Sequence, residues 1–170
     1  VEIKKYLQAL VDHKINHMNL KDISWNTPSG FPVLTQKWVA RKKVYKGSLQ
    51  KKQISHVYLE TTDIPTVAEH LSAIGANWVH SYDASHMSLV INALNLKSFG
   101  AIHDSFSVHA ADVEALINTT KSEFIKMYAK DIFNIMREEI IWNDDSFNEE
   151  TPEVGKLILE DVHGSDFFFC

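Results

Sequence analysis

Asp104 is the residue whose type and setting come closest to chemistry. It lies in Ala101-Ile102-His103-Asp104-Ser105-Phe106, with Phe99, Ala101 and Ile102 on one side and Phe106 and Val108 on the other. Short apolar runs flanking a polar tripeptide predict a tight hairpin with His103, Asp104 and Ser105 at or near its turn. An acid held there is fixed rigidly and projects outward. A carboxylate is a hard oxygen donor of the kind Mg²⁺ takes, and that ion keeps waters and substrate phosphates as its other ligands. Two such ions about 3.5–4 Å apart can hold both the attacking and the leaving oxygen of a phosphoryl transfer. One aspartate cannot hold two ions, so a second carboxylate must come from elsewhere. Taken bare, His-Asp-Ser reads more readily as a turn whose aspartate caps its own backbone.

The charge is unevenly spread, and that matters more than its net value of −5. From Ile23 to Leu59 there is no Asp or Glu, while Lys37, Arg41, Lys42, Lys43, Lys46, Lys51 and Lys52 fall there. From Asp131 onward acids dominate, opposed only by Arg137 and Lys156. A basic segment on an acidic body can bind phosphates locally while the whole stays soluble. The plainer alternative is a strand pair with lysines on a solvated face.

Other polar residues carry less. His80, His86, His103 and His109 do not all fall on one predicted element and lack the spacing of a zinc motif. Asp83 sits within a predicted helix and reads as structural. Asp112 reads as an acid at a helix start, favoured by the helix dipole. Ser105 near His103 is no hydrolase dyad, because no Gly-x-Ser-x-Gly elbow is present.

The elements that must position these residues follow from periodicity and turn residues. Residues 2–15 predict a helix, with Ile3, Leu7, Leu10 and Val11 on one face. Trp25 to Pro32 is turn-rich, and its two prolines and glycine argue against a continuous ladder. Residues 33–45 and 54–60 predict a long hairpin, with Lys46, Gly47 and Ser48 between the strands as a basic tip. A short helix over 66–74 is expected to stop at Gly75, and a longer one to run over 77–94. After the Asp104 hairpin, a strong helix begins near Asp112, with Val113, Leu116, Ile117, Phe124, Met127 and Tyr128 as most of its apolar face. Another covers 132–142. Residues 144–152 are acidic and expected to be mobile. The tail ends in Phe167, Phe168 and Phe169 before Cys170, and such a row is expected to be tucked against something. Helices mixed with antiparallel hairpins make the fold class α+β.

With 170 residues and a hydrophobic share of 45%, one domain with a core of its own is expected. No apolar run approaches the roughly 20 residues that span a bilayer, so no membrane partner is expected. The lone Cys170 allows no internal disulfide, which fits a reducing compartment. The sequence opens on Val1 in mid-pattern, and the expectation is a fragment or a processed product.

Four segments in one order add weight. Trp25-x-Thr27-Pro28-x-Gly30-Phe31-Pro32-Val33 comes first, and Asn77-x-Val79-His80-Ser81-x-Asp83-x-Ser85-His86 second. Ile102-His103-Asp104-Ser105-Phe106 follows, and Ser165-Asp166-Phe167-Phe168-Phe169 closes the series. Over nearly all its length the sequence resembles the C-terminal portion of the single-subunit, bacteriophage- and mitochondrial-type DNA-directed RNA polymerases. The resemblance implies the C-terminal part of a right-hand polymerase palm over 1–170, with a projecting basic hairpin inserted at about 33–60. It implies that Asp104 is the family's second catalytic aspartate, a ligand of both Mg²⁺ ions, and that His103 lies near the RNA 3′ end. His80 and Ser81 match a palm segment lying against the nucleic-acid duplex. The hairpin, with Arg41, Lys42, Lys43 and Lys46, takes the place of the specificity loop that enters the promoter's major groove. Phe169 and Cys170 match a C-terminal foot near the catalytic centre.

The implied partners are the double-stranded DNA promoter and template, nascent RNA, nucleoside triphosphates, and the upstream palm and fingers of the polymerase. The family's first catalytic aspartate and its fingers helix are absent from this stretch, so the isolated chain is expected to be inactive. Ser107 stands where the family usually has Gly, and Cys170 where the phage foot usually ends in a small residue such as Ala. The tail favours a phage enzyme in the cytoplasm of an infected host, with a mitochondrial enzyme as the alternative. The rival readings are a family-A DNA polymerase palm, whose turn usually reads His-Asp-Glu, and a non-catalytic DNA-binding remnant or subunit of the same fold.

Overall fold

The structure is a computed structural model and describes residues 2–49, 52–102, 105–142 and 144–166. Helix α1 (Glu2–Asp12) buries Tyr6, Leu7, Leu10 and Val11, the stripe that a 3.6-residue period produces. Ile3, expected on that face, is exposed. Tyr6 takes its place, meeting Phe133 and Phe147 edge-on. The α-helix stops at Asp12, and His13–His17 widen into a π-helical turn. There the amide of Met18 reaches back to the carbonyl of His13 at 3.1 Å, the five-residue step that defines such a turn.

Strands β1 (Ile23–Asn26) and β2 (Pro32–Thr35) pair antiparallel, with Trp25 opposite Val33. The turn-rich segment therefore does carry a ladder. Its prolines permit it because Pro28 lies in the turn and Pro32 opens its strand, where a missing N–H costs least. The long hairpin is β3 (Trp38–Leu49) with β4 (Lys52–Pro65). It begins later and ends later than its apolar pattern suggests, since residues 33–35 pair with β1 instead. Lys46, Gly47 and Ser48 are not a tip. They pair within the ladder with Ser55, Ile54 and Gln53. Gly47 leaves room for the ring of Tyr45, which lies 3.0 Å from where a Cβ would stand.

Helix α2 (Val67–Leu94) runs unbroken for 28 residues. The expected stop at Gly75 does not occur. His70, Ile74, Trp78, Ser81, Tyr82 and Ser85 are all buried, and their spacing keeps one face in the core past the glycine. The helix ends at Asn95, whose φ of 45° is the left-handed cap geometry that Asn tolerates. Strands β5 (Phe99–Ile102) and β6 (Ser105–Val108) form the short hairpin. Helix α3 (Val113–Tyr128) buries Thr120, Lys121, Glu123 and Met127. Val113 and Ile117, expected on its apolar face, are exposed. Asp112 precedes α3 without a side-chain capping bond.

Helix α4 (Ile132–Ile141) is capped by Asp131, whose carboxylate accepts the amide of Asn134 at 3.1 Å. It adds Phe133, Met136, Ile140 and Ile141 to a core shared with α1, β1 and α2. The segment after α4 is not loose throughout. Phe147 is buried, and Asp144 bonds His13 at 2.9 Å. A single helical turn, α5 (Asp161–Gly164), lies near the end of the described residues. Helices packed on antiparallel hairpins give the α+β class. No described helix is long and apolar enough to cross a membrane.

Candidate nucleic-acid interface

In the β5–β6 hairpin Phe99 faces Val108, Gly100 faces Ser107, Ala101 faces Phe106 and Ile102 faces Ser105. His103 and Asp104, the expected catalytic pair, lie outside the described residues, and so does the expected Mg²⁺ ligand. The register leaves only those two positions between the strands, and Asp104 supplies their one carboxylate. A hard carboxylate oxygen fits Mg²⁺. Among the described residues no three or more His, Cys, Asp or Glu come together to hold a metal. Ser107 has a local role that its type alone does not announce. Its hydroxyl donates to the carbonyl of Gly100 at 3.3 Å, and a Cβ at Gly100 would run into that hydroxyl. Gly100 thus leaves room for the Ser107 hydroxyl in its present rotamer.

The Thr-Pro turn is bonded both to itself and to α2. Thr27 N donates to the Phe31 carbonyl at 2.9 Å, and Phe31 N to Thr27 Oγ1 at 3.0 Å. Gly30 closes the turn at a φ of 87°, a conformation that other residues rarely adopt. Ser29 and Ser85 share a hydroxyl–hydroxyl bond of 3.0 Å. Trp25 is 2% exposed, and its Nε1 donates to Ser81 Oγ at 3.1 Å. Ser81 in turn donates to the Trp78 carbonyl at 2.7 Å. Neighbouring positions on α2 therefore differ in kind. His80 is exposed and Ser81 is buried, with its hydroxyl occupied inside the core. The adjacent Tyr82 phenol is pushed up to about 12 by burial, so it is neutral.

The long hairpin separates its residues onto two faces, since directly opposed residues share one. Arg41 faces Glu60, Lys43 faces Tyr58, and Tyr45 faces His56 on the first. Lys42 faces Leu59, Val44 faces Val57, and Lys46 faces Ser55 on the second. Every residue from Ala40 to Lys46 and from Lys52 to Thr61 is exposed. Tyr45 at 67% and Leu59 at 71% are too open to be packing residues of this chain. From Ala40 to Leu49 the ribbon measures about 30 Å at a strand's rise per residue. Lys43 is not a free cation, because its Nζ meets Glu60 Oε2 at 2.5 Å. That bond and the carboxylate's charge push the Lys43 ammonium pKa up.

The ribbon's base is pinned by His70, which sequence reasoning missed. His70 is buried on α2. Its Nε2 accepts from Lys37 N at 3.2 Å, and its Nδ1 donates to the Thr66 carbonyl at 3.0 Å. The first bond requires an unprotonated Nε2, which places the ring proton on Nδ1. Thr66 N also donates to the Lys37 carbonyl at 2.8 Å, so both strand ends meet at one helix start. Glu139 is another missed residue. Its Oε2 accepts from Asn26 Nδ2 at 2.8 Å and ties β1 to α4. Nothing in the local sequence signals either contact. Phe169 and Cys170, the expected foot, lie outside the described residues, which end at Asp166.

These features define an α+β chain whose long hairpin exposes Arg41, Lys42, Lys43, Lys46 and Lys52. Residues 2–145 match the family described as DNA-dependent RNA polymerase. The chain is 32% identical over 151 residues to the protein named DNA-directed RNA polymerase 1, mitochondrial, of Arabidopsis thaliana, covering 86% of this chain and 15% of that protein. It is 32% identical over 153 residues to DNA-directed RNA polymerase 2, chloroplastic/mitochondrial, of the same organism, covering 86% and 14%. It is 30% identical over 153 residues to DNA-directed RNA polymerase 1A of Nicotiana tabacum, covering 86% and 94%. The chain belongs to the DNA-dependent RNA polymerase family, in its single-subunit phage and organellar form. It spans about one seventh of the two Arabidopsis relatives. Their names place those relatives in mitochondria and chloroplasts, which agrees with the alternative location. The leaning towards a phage-infected cytoplasm finds no support in them.

Proposed function

We propose that this chain is the C-terminal palm portion of an organellar-type single-subunit RNA polymerase, and that the whole enzyme copies a DNA template into RNA. The observation that carries this reading is the family match over residues 2–145, which takes in the hairpin bearing Asp104. In the complete enzyme Asp104 would hold Mg²⁺, together with an aspartate from outside this chain. The bound ions would neutralise charge on the reacting phosphate. His103 stands beside the RNA 3′ end. His80, exposed on α2, faces the duplex, and Ser81 beneath it acts indirectly by fixing that stretch of helix to Trp25. The ribbon from β3 to β4 projects as a specificity loop. Arg41, Lys42, Lys43 and Lys46 contact promoter DNA there, some at base edges in the major groove and some at phosphates. Phe169 and Cys170 form a foot near the catalytic centre.

Asp104→Asn in the complete polymerase tests this reading. The change keeps the shape of the side chain and removes its charge. Charge stabilisation by bound metal amounts to several kcal/mol, and each ~1.4 kcal/mol is tenfold in rate. Template-dependent extension should fall by several orders of magnitude while promoter binding persists. A variant that keeps a tenth of the normal rate would remove Asp104 from the metal site. An unmodified polymerase with no extension at all would favour a non-catalytic DNA-binding remnant.

A further inference from the structure

The long hairpin sorts its side chains by chemistry. Its register sets Lys43 opposite Tyr58 and Tyr45 opposite His56 on one face. On the other it sets Lys42 opposite Leu59, Val44 opposite Val57 and Lys46 opposite Ser55. The tyrosines and the histidine of the ribbon therefore share one side, and the second side carries aliphatic groups and lysine stems. Tyr45 is 67% exposed and Tyr58 43%, and His56 is exposed beside them. The faces differ in charge as well. Lys43 is already held by Glu60, whereas Lys42 and Lys46 lie opposite Leu59 and Ser55, which offer no counter-charge. Paired DNA makes poor use of exposed rings. Its bases stack on one another every ~3.4 Å along each strand and show only their edges in the grooves. A phenol ring offers a flat π-face, and an unpaired base presents one in return. Tyr45 and Tyr58 stand on neighbouring rungs, one diagonal step of about 7–8 Å apart. That gap is close to two base-stacking layers, room for one unpaired base.

We propose that the face of the ribbon bearing Tyr45, His56 and Tyr58 is a stacking site for unpaired nucleobases, and that the face bearing Lys42 and Lys46 holds phosphates. This rests on the specificity-loop reading given above. An opened promoter strand and a transcript both present unpaired bases, and the experiment below separates them. A site that takes unpaired bases and not paired ones favours the opened state by its difference in affinity for the two.

The test is fluorescence anisotropy with the complete polymerase on labelled probes. One probe is the duplex promoter, and a second is the same promoter with a mismatched, permanently open bubble. A third is a scaffold of paired upstream DNA with a protruding transcript. Tyr45→Leu with Tyr58→Leu keeps apolar bulk and removes both rings. Both positions lie outside the core, so folding is not at stake. Tyr45→Phe with Tyr58→Phe keeps the rings and removes the hydroxyls. The Leu pair should weaken binding to an open probe by on the order of tenfold per ring and leave duplex binding near the parent value. Its salt slope should match the parent's, because a ring releases no counterions. The Phe pair should bind as the parent does. A loss on the bubble assigns the site to the opened promoter, and a loss on the scaffold assigns it to the transcript. Equal losses on duplex and open probes, or losses for the Phe pair as large as for the Leu pair, would overturn the stacking site. So would unchanged binding to both open probes while Lys42→Ala with Lys46→Ala weakens duplex binding, an outcome that leaves the specificity-loop reading standing. If neither the Leu pair nor the lysine pair alters binding to any probe, the specificity-loop reading fails and the stacking site fails with it.

Discussion

Glu60→Gln should make the polymerase bind promoter DNA more tightly and with a steeper dependence on salt. Lys43 and Glu60 share one face of the ribbon, and the carboxylate meets the lysine ammonium at 2.5 Å. Both side chains are about half exposed, so the pair adds little to folding. Its consequence is for binding, since a lysine already paired releases fewer counterions on meeting a phosphate. A protein that neutralises Z phosphates on duplex DNA shows a log–log salt slope of roughly −0.9Z. Freeing Lys43 adds one contact and should steepen the slope by about 0.9. Across a fourfold change in salt, that extra unit changes the affinity ratio by about 3.5-fold. Lys43→Ala should undo the gain in the Glu60→Gln background and have a smaller effect on its own. Lys42 and Lys46 project from the opposite face. If that face also meets phosphate, replacing both with Ala should flatten the slope by about 1.8. Fluorescence anisotropy with labelled promoter and with scrambled duplex, titrated from 50 to 200 mM KCl, separates the two faces. Equal slopes for Glu60→Gln and the parent, with no loss for Lys43→Ala, would place this face away from DNA.

Two further outcomes are expected. Exchanging residues 37–53 for the matching segment of a relative with a different promoter should move promoter preference with the segment and leave extension on a primed template unchanged; a chimera that keeps its original preference would show that recognition lies elsewhere. Asp144 should contribute an acid-side loss of stability, because bonds from Ser146 and His13 lower its pKa from 3.8 to about 2. A carboxylate depressed in the folded state adds stability that is complete above its unfolded value and lost as pH falls through the folded one. Asp144→Asn should therefore lower the thermal midpoint at pH 5 and converge with the parent near pH 2; a difference that stays constant over that range would exclude the linkage.

Local signals in the sequence predict the elements well and the connections between them poorly. The β5–β6 hairpin is legible because apolar runs flank a polar pair. The α+β class is legible because periods of 3.6 and 2 alternate along the chain. The long ribbon is legible as a hairpin, but its ends are not. Whether Val33 pairs with Trp25 or begins the ribbon depends on contacts that no local pattern records. His70 has a similar history, since the Lys37 amide it holds lies 33 residues away. Ser81 shows a different limit. A motif draws attention to both His80 and Ser81, yet adjacent helical residues point about 100° apart. One faces solvent and the other bonds Trp25. Lys121 reads as an ordinary polar position on α3, and only the carbonyls of His163 and Ser165, which its Nζ bonds 42 and 44 residues away, give that buried cation its partners.

Gly75 offers the sharpest test of where local reading and tertiary packing part. Glycine costs about 1 kcal/mol relative to alanine inside a helix, because it has more backbone freedom to lose. That cost is why the sequence suggests a stop there. In the structure α2 continues through Gly75, and Ile74 and Trp78 on either side are buried. Continuity matters for the proposed function. His70 pins the ribbon base and Ser85 holds the Thr-Pro turn, roughly 22 Å apart along one helix axis. A break between them would let the two move independently. A Cβ built at Gly75 meets only Lys4 Cγ at 4.0 Å, an ordinary contact with a flexible side chain. Gly75→Ala should therefore stabilise the protein by up to about 1 kcal/mol, raising its thermal midpoint by a few degrees. If a helix stop with glycine geometry existed at this position, alanine would be strained there and the midpoint would fall. A lowered midpoint would restore the two-helix reading and remove the rigid link between ribbon base and turn.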